Sequence, residues 1–339
     1  AAGAPAPALA TATPAPAVTV LGDLTTAEVT AAAVTAAGTK PFMGAGAGQR
    51  RERTATTAPI PPSTPTASAT PTRTVTSSPS QSPTPSPSQS ATAAPTTAVG
   101  APVPAPRLTG QWRLAYADDF NGTSLDPKVW MRLRGTGAGY RWPYNVDLDA
   151  SAFDPGYSSV ENGNLKIRWA PSPITDGGVT FPYRAGIATT ATGYSFQYGV
   201  VEAQIWVPRA SGIAPAFWML PTPVDSTWPP EVDIAELSTT PAGQVDAHFN
   251  VHYTRNGVNG QIAGFPQYGT DVGGSWHTYT LVWQPTSMTV YLDGAQAYQY
   301  TGVGIPQQPM YVIFSGGVLK GSDPGAGEML VDYLRVWQQ

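Results

Sequence analysis

Trp228-Pro229-Pro230-Glu231-Val232-Asp233-Ile234-Ala235-Glu236-Leu237 packs three carboxylates into six residues of a chain in which only 12% of residues are charged. Apolar side chains alternate with acidic ones, which is the pattern of a strand. Glu231 and Asp233 therefore share one face, while Val232 and Ile234 point into a core. Glu236 falls out of step, three residues after Asp233. One extra residue accommodated as a β-bulge around Ala235 returns Glu236 to the acidic face, and bulges concentrate beside active sites. Glu231 and Glu236 then stand roughly 13 Å apart along the backbone at ~3.3 Å per residue. Two Glu side chains leaning together close most of that gap, toward the ~5–5.5 Å of retaining glycosidases rather than the ~6.5–9.5 Å of inverting ones. Asp233 lies between them, placed to share a proton with one of the pair and keep both from ionising. Taken alone, three carboxylates are equally compatible with an exposed acidic strand or a cation site.

The next strand-like run, Val245-Asp246-Ala247-His248-Phe249-Asn250-Val251-His252, is polar at every even position and apolar at every odd one. Asp246, His248, Asn250 and His252 therefore share a face. Sequential strands are usually neighbours, so that face continues the acidic one. It carries two of the three histidines in the chain. Sugar rings present apolar faces, and glycan clefts answer with aromatic platforms edged by polar groups. Trp218 and Trp228 are the candidates, expected to contribute affinity rather than chemistry. Trp276, Trp283 and Trp337 have no polar clustering around them and are expected in the core.

Farther out, residues from Leu108 onward are short alternating apolar runs separated by Gly, Pro, Asn and Asp, with no convincing amphipathic helix. That predicts an all-β sandwich or barrel of ordinary size. Gln111–Tyr116 reads as the entry strand, followed by a turn at Asp118–Gly122. Asn162-Gly163 and Asp293-Gly294 read as hairpin turns. Residues 1–106 differ: Ala, Pro, Thr and Ser dominate, Phe42 is the only aromatic, and every Trp lies beyond Pro106. Such a stretch cannot bury enough apolar surface to offset its chain entropy, so a disordered tail and linker is expected over 1–106 and one folded domain over 107–339. No run is long and apolar enough for a membrane span, and no signal peptide is visible at the first residue. A net charge of -4 without a basic patch argues against nucleic acid. The chain has no cysteine, which removes disulfides and thiol chemistry.

Glu231-Val232-Asp233-Ile234-Ala235-Glu236 resembles the signature of glycoside hydrolase family 16, in the bulged form of laminarinases, agarases and carrageenases rather than the unbulged form of lichenases. The surroundings agree in order: Tyr198–Ala203 and Pro215–Leu220 upstream, then Trp276–Tyr279, Tyr291–Gly294 and Val331–Val336 downstream. The resemblance implies a β-jelly-roll of two antiparallel sheets, one curved into a substrate cleft. It implies Glu231 as nucleophile, Glu236 as general acid and base, and Asp233 as their partner. It also matches His248, Asn250 and His252 to polar substrate contacts, Trp218 to a cleft-lining aromatic and Phe314 to a subsite side chain. No cofactor is required, though family members often hold a structural calcium ion near residues corresponding to Asp119 and Asp332.

Two departures bear on specificity. Laminarinases usually carry Trp at the position of Ala214 and Arg at the position of Ile187. Arg184 is close in sequence but out of register with that role. The expectation is a secreted, monomeric, retaining endo-β-glycosidase hydrolysing a β-linked polysaccharide, β-1,3- or β-1,3/1,4-glucan first and galactan second. The alternatives are a non-catalytic glycan-binding relative, from which the intact carboxylate trio distinguishes it, and a wall-polymer transglycosylase.

Overall fold

The structure, a computed structural model, describes residues 108–339 apart from 136–139, 227, 241–242 and 267, without the side chains of 263–266. The stretch 1–106, expected to be disordered, lies outside the described residues. In chain order the strands are β1 (Arg113–Asp118), β2 (Ser151–Phe153), β3 (Ser158–Glu161), β4 (Asn164–Asp176), β5 (Val179–Ala185), β6 (Ile187–Thr189), β7 (Gly199–Trp206) and β8 (Ala216–Pro221). They continue as β9 (Glu231–Thr239), β10 (Val245–Arg255), β11 (Val258–Pro266), β12 (Trp276–Gln284), β13 (Ser287–Leu292), β14 (Ala295–Thr301), β15 (Met310–Ser315) and β16 (Gly327–Gln338). Among the described residues no helix is long and apolar enough to cross a membrane.

Two sheets form. The larger runs β14-β13-β12-β7-β16-β4-β5-β2, with β1 added on β16 and β3 on β4, and the smaller runs β11-β10-β9-β8-β15-β6. Every pairing is antiparallel except β2 with β5. The expected β-sandwich is therefore present, and the entry strand starts two residues later than its composition suggested. Both expected hairpin turns form: Asn162 and Gly163 have φ of 55° and 74°, and Asp293 and Gly294 have 49° and 77°. Positive φ at both central residues matches the twist of the flanking strands, which is why Asn-Gly and Asp-Gly serve there.

The inner faces of the two sheets meet in one apolar core. From the smaller sheet come Val232, Ile234, Leu237, Phe217, Phe249 and Phe314, and from the larger Leu165, Ile167, Val201, Leu281, Trp283 and Val331. β9 is buried along both faces from Glu231 to Leu237. One side is sealed by the second sheet, the other by the cleft architecture above it.

Two expectations about aromatics are corrected. Trp283 is fully buried and Trp337 is buried in a separate small cluster, but Trp276 is 41% exposed. Trp276 and Trp283 lie seven residues apart on one strand, an odd spacing, so they face opposite sides of the sheet. Phe314 is fully buried. Its ring stacks on Phe217 with centroids 4.9 Å apart, and on Trp130 at 6.3 Å. It belongs to the core rather than to a subsite. Ile313 is the register partner of Trp218 and Phe314 that of Phe217, so alternation carries Phe314 to the inner face.

Candidate active site

β9 contains the bulge its sequence called for. Opposite β10, Glu236 pairs with His248 and Asp233 with Asn250, so three steps on β9 match two on its neighbour. On the other edge Ala235 pairs with Phe217 and Asp233 with Trp218, and the register skips Ile234. The extra residue turns Glu236 back to the face of Glu231 and Asp233. The three are 5%, 0% and 2% exposed, in that order, a depth at which charged groups are rare unless partnered.

The partners come from the elements alternation predicted. His252 stands opposite Glu231, and Asn250 opposite Asp233. Asn250 donates its amide Nδ2 to Glu236 Oε2, and Gln261 Nε2 donates to Asn250 Oδ1 at 3.1 Å, which holds that amide in place. His252 Nε2 lies 3.4 Å from Asp233 Oδ2 and 3.7 Å from Glu231 Oε1. Those three atoms are buried without a hydrogen-bond partner. A buried polar atom left unmatched costs free energy, so such a trio stores demand that an incoming ligand can satisfy. His248 points its Nε2 to Ser238 Oγ at 3.1 Å, with burial holding its imidazole below the usual range.

Electrostatics couples the three carboxyls. Burial, followed by the charges of Asp233 and Glu236, pushes Glu231 well above the ordinary carboxylate range, while the Trp228 hydrogen bond opposes that rise. Burial and then the Asp233 charge push Glu236 up as well, against the Asn250 bond. Burial also raises Asp233, with His252 pulling the other way. Three close carboxyls cannot all ionise together, so protons are held within the set and leave it in coupled steps. Each folded-state pKa lies above its unfolded value. The set therefore favours the fold in acid and costs stability as pH rises past the ordinary carboxylate range.

Trp228 does more than offer a ring. Its indole Nε1 donates to Glu231 Oε2 at 2.9 Å, and its ring lies 5.6 Å from that of His252. Trp228→Phe is expected to lower kcat about 10- to 100-fold, the loss of a hydrogen bond to a charged group, and to move the acid limb of the pH profile upward. Steady-state rates against pH check this, and a change confined to KM would return Trp228 to a purely stacking role. Trp218 is 2% exposed, donates Nε1 to Ser315 Oγ at 3.1 Å and meets Tyr144 edge to face at 4.7 Å.

Beside the trio opens a cavity whose wall includes Trp218, Asp233, Glu236, Tyr144, Asp149 and Ser315. A second opening, lined by Arg134, Tyr144, Asp225 and Trp228, lies on the other side of Tyr144. The Arg134 guanidinium stacks over the Tyr144 ring at 4.6 Å. Ala214 lines the first cavity, whereas Ile187 is fully buried. Arg184 pairs with Asp154 at 2.8 Å and takes no part in the site. Sequence reading missed Tyr144, Asp149 and Ser315. The aromatic-rich run Arg141-Trp142-Pro143-Tyr144 was the one available signal, but loop residues have no period from which to assign a face.

Two groupings are relevant to metals. Glu231, Asp233 and His252 present ligand-type atoms within 4.8 Å of one another, though an ion there would consume the lone pairs of the carboxyl trio. Asp119 Oδ1 accepts from Arg335 Nη2 at 2.7 Å. Calcium takes about six to eight oxygens, of which Asp119 and Asp332 would supply only some.

A family model described as Glycosyl hydrolases family 16 matches residues 156–335, more than half of the chain. Endo-1,3-1,4-beta-glycanase EglC of Rhizobium meliloti is 30% identical over 244 residues, which is 66% of this chain and 51% of that protein. Glucan endo-1,3-beta-glucosidase A1 of Niallia circulans is 27% identical over 280 residues, 71% of this chain and 40% of that protein. The chain thus spans about half, or less, of the length of these curated relatives. Among solved structures, the endo-beta-1,3-glucanase from Pyrococcus furiosus superposes with a TM-score of 0.55 at 28% identity, covering 67% of this chain and 95% of that one. The bulged acidic strand and the cleft face it shares with β10 fall inside the matched span, and the chain belongs to the glycosyl hydrolases family 16.

Proposed function

We propose that this protein is a retaining endo-glycosidase that hydrolyses a β-linked glucan by double displacement. The observation that carries the reading is the bulge of β9, which puts Glu231, Asp233 and Glu236 on one buried face beside an open cavity. Glu231 attacks the anomeric carbon, forming a glycosyl-enzyme as the glycosidic bond breaks. Glu236 gives its proton to the departing oxygen and then takes one from the water that resolves the intermediate. These roles need Glu231 ionised and Glu236 protonated at the start of the cycle. The Trp228 N–H favours the charge on Glu231, while burial favours a proton on either glutamate. The printed activities of the relatives, endo-1,3-1,4-beta-glycanase and endo-1,3-beta-glucosidase, support β-1,3- or mixed-linkage glucan as substrate.

All the groups invoked come from one chain, so the chemistry needs no partner subunit. A polymeric substrate and the Pro/Ser/Thr-rich stretch before the domain support action outside the cell. A panel of polysaccharides, with products resolved by size and anomeric configuration, tests the reading. Internal cleavage of a β-1,3-containing glucan with retained configuration is expected. No cleavage of any β-glucan, or an inverted product, would overturn it.

A further inference from the structure

Among the carboxyls outside the catalytic trio, two invite comparison, Glu202, which is buried, and Asp149, which is half-buried. Glu202 on β7 has both oxygens taken, Oε2 by Thr280 Oγ1 at 2.8 Å and Oε1 by Tyr333 OH at 3.0 Å. Asp149 is arranged differently. Its Oδ1 accepts three bonds, from Ser151 N at 2.8 Å, Ser151 Oγ at 2.6 Å and Val318 N at 3.3 Å. All three fall on the same oxygen. The carboxyl is thereby locked in orientation while Oδ2 keeps its lone pairs, and Asp149 lines the cavity that also holds Trp218, Asp233 and Glu236.

The surroundings keep Oδ2 open. Gly317 lies against it, and a Cβ there would sit 3.2 Å from Oδ2 and 2.8 Å from the Ala214 carbonyl oxygen. Asp233, only 2% exposed, lines the same cavity, with its Oδ2 lying 3.4 Å from His252 Nε2. The cavity wall is otherwise Tyr144, Asn145, Ser315, small or apolar residues and Glu236, with no Lys, Arg or His among the described residues lining it. Lys320 reaches away, its Nζ bonded to the Val146 carbonyl at 3.1 Å. Burial raises the Asp149 carboxyl to about 6 against the pull of Ser151, so it is an ionised acceptor near neutral pH.

We propose that Asp149 is a specificity-determining residue of this cavity. Its Oδ2 accepts hydrogen bonds from the hydroxyls of an uncharged pyranose at the mouth of the cavity, and its charge, with no cation among the described residues lining the cavity, excludes sulfated and uronic units. This rests on the glycosidase reading above and names the residue that holds its substrate to neutral polysaccharide. A carboxylate accepting from a sugar hydroxyl is a charge-assisted bond, and losing it costs about 10- to 100-fold in kcat/KM.

The test compares the full chain with its Asp149→Asn and Ser151→Ala variants on a neutral soluble β-glucan and on the same glucan carboxymethylated, with unfolding midpoints recorded in parallel. Asp149→Asn should lose about 10- to 100-fold on the neutral polymer and much less on the carboxymethylated one, so the preference for neutral substrate shrinks. Ser151→Ala removes the shortest of the three bonds that orient the carboxyl and keeps its charge. It should lose activity on the neutral polymer with the preference intact. Wild-type kcat/KM and an unchanged preference in Asp149→Asn would overturn the inference. If that variant does not fold, wild-type kcat/KM and an unchanged preference in Asp149→Ser overturn it instead. If the unaltered protein cleaves no β-glucan at all, the glycosidase reading is what fails. If it cleaves β-glucan, Glu231→Ala does not and Asp149→Asn matches wild type, only the role of Asp149 is lost.

Discussion

Glu236→Ala is expected to turn over polysaccharide about 10²–10⁴-fold more slowly, the usual contribution of a positioned general acid and base. With a substrate whose leaving group needs no protonation, the glycosyl-enzyme should still form on Glu231 and then persist. Azide needs no general base, so adding it should restore turnover and release a glycosyl azide with the configuration of the substrate. In Glu231→Ala, azide would have to displace the leaving group directly and give the inverted product. The two outcomes reversed would exchange the roles of the glutamates. Each glutamate receives one side-chain N–H, Glu231 from Trp228 at 2.9 Å and Glu236 from Asn250, so the azide products rather than these bonds assign the roles.

Phe314→Ala should cost about 3–5 kcal/mol of stability, as expected when an aromatic side chain is deleted from a close-packed core. For a domain of this size that lowers the unfolding midpoint by roughly 10 °C. The ring is fully buried between Phe217 and Trp130, and no collapse of a single neighbour fills the space it leaves. Below its lowered midpoint the variant should bind oligosaccharide as the parent does. A preserved midpoint with weakened binding would place Phe314 in a subsite after all. Thermal unfolding and titration with a gluco-oligosaccharide together decide it.

How much of this was legible beforehand depends on the range of the interaction concerned. The acidic face of β9, the bulge that returns Glu236 to it, the polar face of β10 and the two tight hairpins are all encoded within a few residues, because strand alternation and turn conformation are local properties of the backbone. A β-class domain with its carboxylate trio and the Asn250 and His252 partners could thus be read directly from the order of residues. Phe314 was misplaced for the complementary reason, whereas the odd spacing of Trp276 from Trp283 already set those two on opposite faces. Alternation says which residues share a face but not which face is turned to the cleft, and for β15 that is set by pairing with β8, about ninety residues earlier. The cavity lay further out of reach. Tyr144 and Asp149 precede β2, while Ser315 ends β15, and they converge only once the β8–β15 pairing and the bridge from Asp149 to Leu319 have closed. The sequence by itself therefore determined the chemistry of the site. The tertiary structure decided what surrounds it, because loops without a period acquire their neighbours only from the packing of strands distant in the chain.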